Sequence, residues 1–226
     1  MHCRAGVIAS GYRAAAPGGP TVSAVEVLTG SIAASGTGTP TITTSLASTD
    51  MVVVVLLKST TSGTPGVSGL GTWTNLQAGT GTRDHYIWTM TGVTGGGSIT
   101  ITPNGPASDY VVYVLRRSDA AAVTAFGSGK IDNSFISTNT QISVADINSA
   151  TAGMFVIGVA SPGAATLTFP HANMLPASGW TTDFNGSNSI VRFLSQTMSA
   201  NSTVRVAASS SAGVGTSWAL LAAVFQ

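Results

Sequence analysis

Short runs rich in apolar and β-branched residues recur along the chain from Val25 to Gln226, and each run ends in Gly, Ser, Thr, Asn or Pro. Several runs alternate apolar and polar positions, as in Ser98–Thr102, Gln141–Val144 and Thr203–Val206. Successive side chains of a β-strand point to opposite faces, so this alternation places apolar side chains on one face of a sheet. The pattern predicts an all-β fold, an antiparallel β-sandwich.

The predicted strands are joined by glycine-rich connections that suit hairpins. Helix is nearly absent, since only Ser118–Ala125 and Ala145–Ala150 have a helical composition, with Ser118 and Asp146 available as caps. The strands are predicted near Ala24–Leu28, Pro40–Leu46, Met51–Lys58, Asp84–Thr91, Ser98–Thr102, Asp109–Arg117, Phe135–Ser137, Thr140–Val144, Met154–Ala160, Thr166–Phe169, Ser189–Leu194, Asn201–Ala207 and Ser217–Phe225.

Three of these strands are apolar on both faces, which indicates strands at the centre of a sandwich or under a second layer. They are Met51–Leu57, Tyr110–Leu115 and Met154–Val159. Four tryptophans fall into two groups. Trp88 and Trp218 alternate with apolar neighbours and are predicted in the core, whereas Trp73 and Trp180 lie in loop-like contexts, where a ring would seal the sandwich or face a partner.

Residues 1–24 differ from the rest of the chain and are predicted to form an N-terminal arm and linker. A breaker cluster at residues 16–20 cannot continue a helix or a central strand. In an assembly such a segment would lie on a neighbouring subunit, with Arg4, Tyr12 and Arg13 as its anchors; in an isolated domain it would be a disordered tail. Residues 25–226 are predicted to form a single β-sandwich domain, a length common for this class.

Only 8% of the residues are charged and the net charge is +1, whereas soluble domains average about 25%. This balance gives no electrostatic basis for binding nucleic acid or an anionic membrane. The longest apolar run is also far shorter than the roughly 20 residues that span a bilayer. The surface must consist mainly of hydroxyls, small side chains and glycine, as in subunits packed into a large assembly.

The N-terminus lacks the apolar segment of a secretory signal, so we expect synthesis in a bacterial or host cytoplasm. Cys3 is the single cysteine, which excludes an intrachain disulfide.

No motif predicts catalysis, a metal or a cofactor. The serines form no Gly-x-Ser-x-Gly elbow, and no two histidines have metal-ligand spacing. Asp84 and His85 are adjacent on a predicted strand and would point to opposite faces, which argues against a dyad. Residues 127–130 (GSGK) lack the remaining positions of a phosphate loop. Residues 183–188 (DFNGSN) imitate part of a calcium loop without its distal acid and are predicted to form an Asx-rich turn.

A series of segments in chain order resembles a known group. A Pro-Thr-Ile-Thr strand (40–43) is followed by an Asp and a solid apolar strand (50–57), Trp73, and an Asp-x-Tyr-x-Trp strand (84–88). A Gly-Ser-Ile-Thr-Ile-Thr hairpin (97–102), Tyr-Val-Val-Tyr-Val-Leu-Arg (110–116) and Trp-Ala-Leu-Leu-Ala-Ala-Val (218–224) come next. Over residues 25–226 this order is similar to that of the β-sandwich virion proteins of tailed bacteriophages, the minor tail and head decoration proteins.

The resemblance implies a jelly-roll-like, non-enzymatic subunit, present in many copies on the virion and often oligomeric, with trimers frequent. We therefore predict a structural virion protein that contacts other capsid or tail subunits and itself, with no nucleic acid, membrane or cofactor. The first alternative is a receptor- or glycan-binding module whose contacts are Trp73 and Trp180. A bacterial adhesin domain is a further alternative, disfavoured by the missing secretion signal.

Overall fold

The computed structural model describes residues 19–58, 63–77, 85–133, 141–143, 147–148, 153–162, 167–186, 191–198, 203–210 and 218–226. The predicted anchors Arg4, Tyr12 and Arg13 lie outside these residues. The described chain is all-β, with its strands in antiparallel sheets consistent with a β-sandwich, which confirms the predicted fold class. The first strand begins at Val22, inside the segment assigned to the arm. The jelly-roll connectivity and the arm itself stay predictions.

The described part of the N-terminal half holds nine strands, most of them built largely from β-branched, aromatic or small residues. They are β1 (Val22–Ile32), β2 (Thr41–Leu46), β3 (Met51–Lys58), β4 (Gly66–Ser68), β5 (Thr74–Gln77), β6 (His85–Thr91), β7 (Gly95–Ser98), β8 (Thr100–Thr102) and β9 (Ser108–Arg117).

The described part of the C-terminal half holds ten further strands. They are β10 (Ala125–Asn133), β11 (Gln141–Ser143), β12 (Ile147–Asn148), β13 (Met154–Pro162), β14 (Leu167–Thr168), β15 (Thr181–Gly186), β16 (Val191–Met198), β17 (Thr203–Val204), β18 (Ala207–Ser210) and β19 (Trp218–Phe225).

Two five-stranded sheets form the centre of the molecule. Their strand orders are β1-β9-β3-β6-β5 and β10-β19-β13-β16-β15. The sheets face each other across a shared cluster of buried side chains, which we call the inner core. Its buried members from the first half are Val22, Met51, Val53, Val55, Leu57, Ile87, Val111, Tyr113, Leu115 and Val123, and those from the second are Phe155, Ile157, Val159, Phe193, Leu221, Ala223 and Phe225.

Small sheets cover the outer face of each large sheet, so the fold has four layers. The ribbons β2-β7 and β4-β8 enclose one outer core, which contains Val54, Trp88 and Ile101. The sheets β11-β18-β14 and β12-β17 enclose the other, which contains Val156 and Val204. The strands predicted to be apolar on both faces lie between two cores each, as expected of strands beneath a second layer. Trp88 is buried as predicted, while the Trp218 side chain lies outside the described set.

The two halves of the chain repeat one topology. In each large sheet the first strand of the half lies at one edge, and the last strand of the half lies next to it. A central strand comes third: β3 in the first sheet and β13 in the second. The same pairing order, antiparallel throughout, then leads to β5 or β15 at the far edge.

The register irregularities repeat as well. The first strand of each half carries a bulge near its start, between Ala24 and Glu26 in β1 and between Ala125 and Gly127 in β10. The far-edge strand carries another, between Asn75 and Gln77 in β5 and between Thr182 and Phe184 in β15. Bulges are specific features of a ladder, so this correspondence assigns equivalent residues across the halves.

Three local predictions were wrong. Residues 118–124 form a turn and an extended segment, because the backbone N–H of Ala121 bonds the Asp119 carboxylate and Ala120 has a φ of 56°. In the other predicted helix, the described residues Ile147 and Asn148 form β12. The predicted Asx-rich turn is also wrong over residues 183–186, which belong to β15; residues 187 and 188 lie outside the described set.

Candidate functional site

Trp73 and Trp180 occupy equivalent positions in the two halves. Trp73 directly precedes β5 and Trp180 directly precedes β15, at the far edge of each large sheet. The Trp73 indole N–H donates to the Gly69 carbonyl over 2.9 Å, and the Trp180 indole N–H donates to the Pro176 carbonyl over 2.8 Å. Both acceptors lie four residues upstream of the ring. We call residues 69–73 and 176–180 the two tryptophan corners.

The first tryptophan corner is shaped by backbone in the left-handed region. Gly69 has a φ of 93° and Leu70 a φ of 62°, which turns the chain so that Leu70 packs on the outer core with Trp73. A Cβ on Gly97 would lie 2.7 Å from a Leu70 methyl carbon, so glycine makes room for this side chain.

The second corner reaches the same arrangement with different residues. Gly179 has a φ of 89°, and the Gln196 side-chain amide donates to the Ser178 carbonyl over 3.0 Å. Trp180 is half-buried and packs on the outer core of its own half. Each ring therefore seals a core with one face and leaves part of its surface accessible, as a lid does.

A polar cavity lies at another place, between two loops of the first half. Its volume is about 320 Å³, and it is lined by Ser35, Gly36, Thr37, Thr102, Asn104 and Gly105. Hydroxyl, amide and backbone groups of this kind suit hydrogen bonding to a neutral polar ligand.

Asp50 and Arg116 form an ion pair beside the start of β3. The Asp50 carboxylate also accepts the backbone N–H of Ala47, 2.9 Å away. Burial raises the pKa of Asp50, but the hydrogen bonds from Arg116 and Ala47 and the Arg116 charge outweigh it and lower the pKa below its ordinary 3.8. The pair therefore fixes the turn that leads into the central strand.

Glu26 holds β1 to β2. The ladder between β2 and β7 is irregular from Ile42 to Leu46, and the Glu26 carboxylate accepts backbone N–H groups there, from Thr43 at 3.0 Å and Thr44 at 2.9 Å. The Thr43 hydroxyl adds a third bond of 2.8 Å. Burial raises the pKa of Glu26, yet these bonds lower it below its ordinary value of 4.5.

A polar network crosses the inner core. The Tyr113 hydroxyl on β9 donates to Asp183 Oδ2 on β15 over 2.7 Å, and the Ser195 hydroxyl donates to Oδ1 over 3.0 Å. Burial raises the pKa of Tyr113 well above its ordinary value, with the Asp183 charge adding to the effect, so the hydroxyl stays a donor. Burial also raises the pKa of Asp183, against the effect of these two bonds.

Sequence reasoning missed this network. The signal was Asp183 itself, an acid in a segment of strand length, but it was assigned to a turn. The other titratable candidates give no assembled centre. His85 is buried on β6, and its neighbour Asp84 lies outside the described residues.

Within the described ranges, no three His, Cys, Asp or Glu side chains are grouped so as to hold a metal ion. In the same part of the chain, no helix has the length and apolarity to cross a membrane. No family model, curated protein or solved structure matches this chain.

Proposed function

We propose that this chain is a non-enzymatic structural protein of a tailed-phage virion, packed on the head or tail shell in many copies. The proposal rests on one observation, that the few charged side chains are bonded within the molecule. Charged side chains of the described chain bond to other groups of the same molecule, and these are Glu26, Asp50, Lys58, Asp109, Arg116, Arg117, Asp119, Asp183 and Arg192.

Because these charged side chains are bonded within the molecule, the remaining surface is suited to close packing against other subunits. Burying an unpaired charge at an interface is costly, whereas hydroxyls and small side chains pack against a neighbour at little cost. The exposed positions of β1 and β2 carry uncharged side chains, among them the hydroxyl residues Ser23, Thr29, Thr41 and Ser45 and the valines Val25 and Val27. The proposed contacts are with capsid or tail subunits and with other copies of this chain in a homo-oligomer such as a trimer. The arm residues Arg4, Tyr12 and Arg13 are the proposed anchors.

The protein content of purified virions tests the proposal. Virions of the phage that encodes the chain are purified, and the protein is measured by quantitative mass spectrometry and located by immunogold labelling. We expect many copies on each particle and fewer after alanine replacement of Arg4, Tyr12 and Arg13. Arg117→Ala, on the folded body, serves as the matched loss of a cation and is expected to leave the copy number unchanged. Particles that contain none of the protein would refute the proposal.

A second candidate function is recognition of a glycan or host receptor. It is favoured by the two equivalent, partly accessible tryptophans and by the polar cavity. A glycan array screened with the full chain would support it if a signal is lost in Trp73→Ala or Trp180→Ala and kept in Thr72→Ala. An array without signal would argue for the structural function.

A further inference from the structure

The inner core is an interface between two copies of one topology. The equivalent central strands β3 and β13 both supply it, and β1 and β9 of the first half lie against β15 of the second. The two halves of one chain therefore pack together as two similar subunits would. Each half carries a face that accepts the other half, and a second copy of the chain offers the same two faces.

The register assigns the equivalent of each interface residue. Val53 lies opposite Tyr113 and Thr89 in the first sheet, and Ile157 lies opposite Ala223 and Ser195 in the second. Tyr113 thus corresponds to Ala223.

Asp183 occupies the bulge of β15, so its equivalent is the bulge residue of β5, Leu76. Leu76 is partly buried against the inner core. The positions equivalent to Tyr113 and Asp183 therefore hold Ala223 and Leu76, which carry no polar side-chain atom.

We propose that the Tyr113–Asp183 pair makes packing of the N-terminal half against the C-terminal half more stable than packing of two N-terminal halves or of two C-terminal halves. If two N-terminal halves packed together, Tyr113 would face Leu76, and its buried hydroxyl would lose its acceptor. If two C-terminal halves packed together, Asp183 would face Ala223, and the carboxylate would keep Ser195 as its hydrogen-bond donor while losing Tyr113. Leaving the fully buried Tyr113 hydroxyl without an acceptor is costly, and the half-buried Asp183 carboxylate loses a hydrogen-bond donor, so both like-with-like arrangements are disfavoured.

The competing partner is a second copy of this chain. Packing of two like halves requires two chains, so it competes with packing within one chain only at high protein concentration, as during synthesis or assembly. This inference does not depend on the proposed function.

A disulfide reporter measures the pairing in the full chain. Gly153 lies against Thr21 of the other half, since a Cβ on Gly153 would lie 3.0 Å from both the Cα and the methyl carbon of Thr21. A backbone shift of a few tenths of an ångström relieves this contact and brings cysteines at the two positions to disulfide distance, so they join the halves only when unlike halves pack together. The reporter is Thr21→Cys with Gly153→Cys in a Cys3→Ser background. After refolding over a range of concentrations and oxidation, free thiols report like-with-like packing.

We expect the reporter chain to cross-link almost completely at every concentration. Adding Tyr113→Phe with Asp183→Leu removes both polar groups, and we expect the free-thiol fraction to rise at least ten-fold at the highest concentration. Tyr113→Phe alone, which removes one oxygen, is expected to give a smaller rise. The matched control, Asp50→Asn with Arg116→Leu, breaks an ion pair within one half and leaves the fraction unchanged. Equal free-thiol fractions in the control and in both interface variants would overturn the proposal.

Discussion

Arg116 and Asp50 form a two-point ion pair, with Nε 2.8 Å from Oδ1 and Nη2 2.6 Å from Oδ2. The Asp50 side chain is 2% exposed and that of Arg116 is 38% exposed. The guanidinium thus lies at the surface and closes over a buried carboxylate, which joins the end of β9 to the turn before β3.

Asp50→Asn is expected to lower the free energy of unfolding by about 1.5 to 3 kcal/mol at neutral pH, the usual loss for hydrogen bonds to charged groups. Because the pKa of Asp50 is lowered in the folded state, its contribution is present above pH 3.8 and is lost as the pH falls through the folded pKa. Denaturant unfolding from pH 7 to pH 2 should show the two proteins converge in acid.

Asp119→Asn supplies the control, since the Arg117–Asp119 pair has similar geometry at the surface. Exposed pairs contribute little, so no resolvable change is expected at neutral pH. Equal losses in the two variants would contradict the importance of burial at Asp50.

Glu26 is the single glutamate in the sequence, so its carboxyl carbon gives one resolvable NMR signal. We expect that signal to titrate with a pKa below 4.5, and more nearly at 4.5 in Thr43→Val, which lacks the hydroxyl donor. The stabilisation by Glu26 is present above pH 4.5 and is lost as the pH falls through the folded pKa. A titration that is the same in both proteins would show that the Thr43 hydroxyl does not act on Glu26.

Gly158 lies in β13 at the position equivalent to Val54 in β3. A Cβ there would lie 3.2 Å from both the Phe169 ring and a Val206 methyl carbon. Gly158→Val therefore overpacks this outer core and is expected to cost about 1 to 3 kcal/mol in thermal or denaturant unfolding. Gly66→Val is the control, because a Cβ on Gly66 meets no atom within 4 Å. A Gly158→Val protein as stable as the control would mean that the ring relocates freely.

Trp73→Phe and Trp180→Phe are expected to cost similar amounts, about 0.5 to 1.5 kcal/mol each, because each removes one indole hydrogen bond and keeps an aromatic ring on the core. The double variant should lose the sum, since the sites belong to separate outer cores. Denaturant unfolding measures all three. A large loss at one corner with none at the other would contradict their equivalence.

The apolar pattern was sufficient to predict the fold class and the strands buried on both faces. Runs such as Met51–Leu57 are apolar at every position, so neither face could be left in water. Edge strands were missed where polar residues dominate. The strand β15 contains Asp183 and Asn185, whose turn preference was overridden by pairing with β16.

The repeat was invisible in the sequence because equivalent positions carry different residues. Val54 corresponds to Gly158 and Tyr113 to Ala223, and at Gly158 the side chains of Phe169 and Val206 lie where a larger residue would be. The sequence shows the equivalence only at Trp73 and Trp180, each of which is followed by threonine. The Tyr113–Asp183 bond could not be foreseen, since it joins residues 70 apart across two sheets.

The position of β3 at the centre of its sheet has a consequence for translation. Its hydrogen-bonding partners are β6 and β9, so the last of them is complete only when the ribosome has reached Arg117. At a translation rate of about 5 to 20 residues per second, the run from Met51 to Leu57 remains without its full set of partner strands for several seconds. Uncharged β-branched segments of this kind aggregate readily. We therefore expect the yield of soluble protein to follow the supply of nascent-chain chaperones in the cell that expresses it.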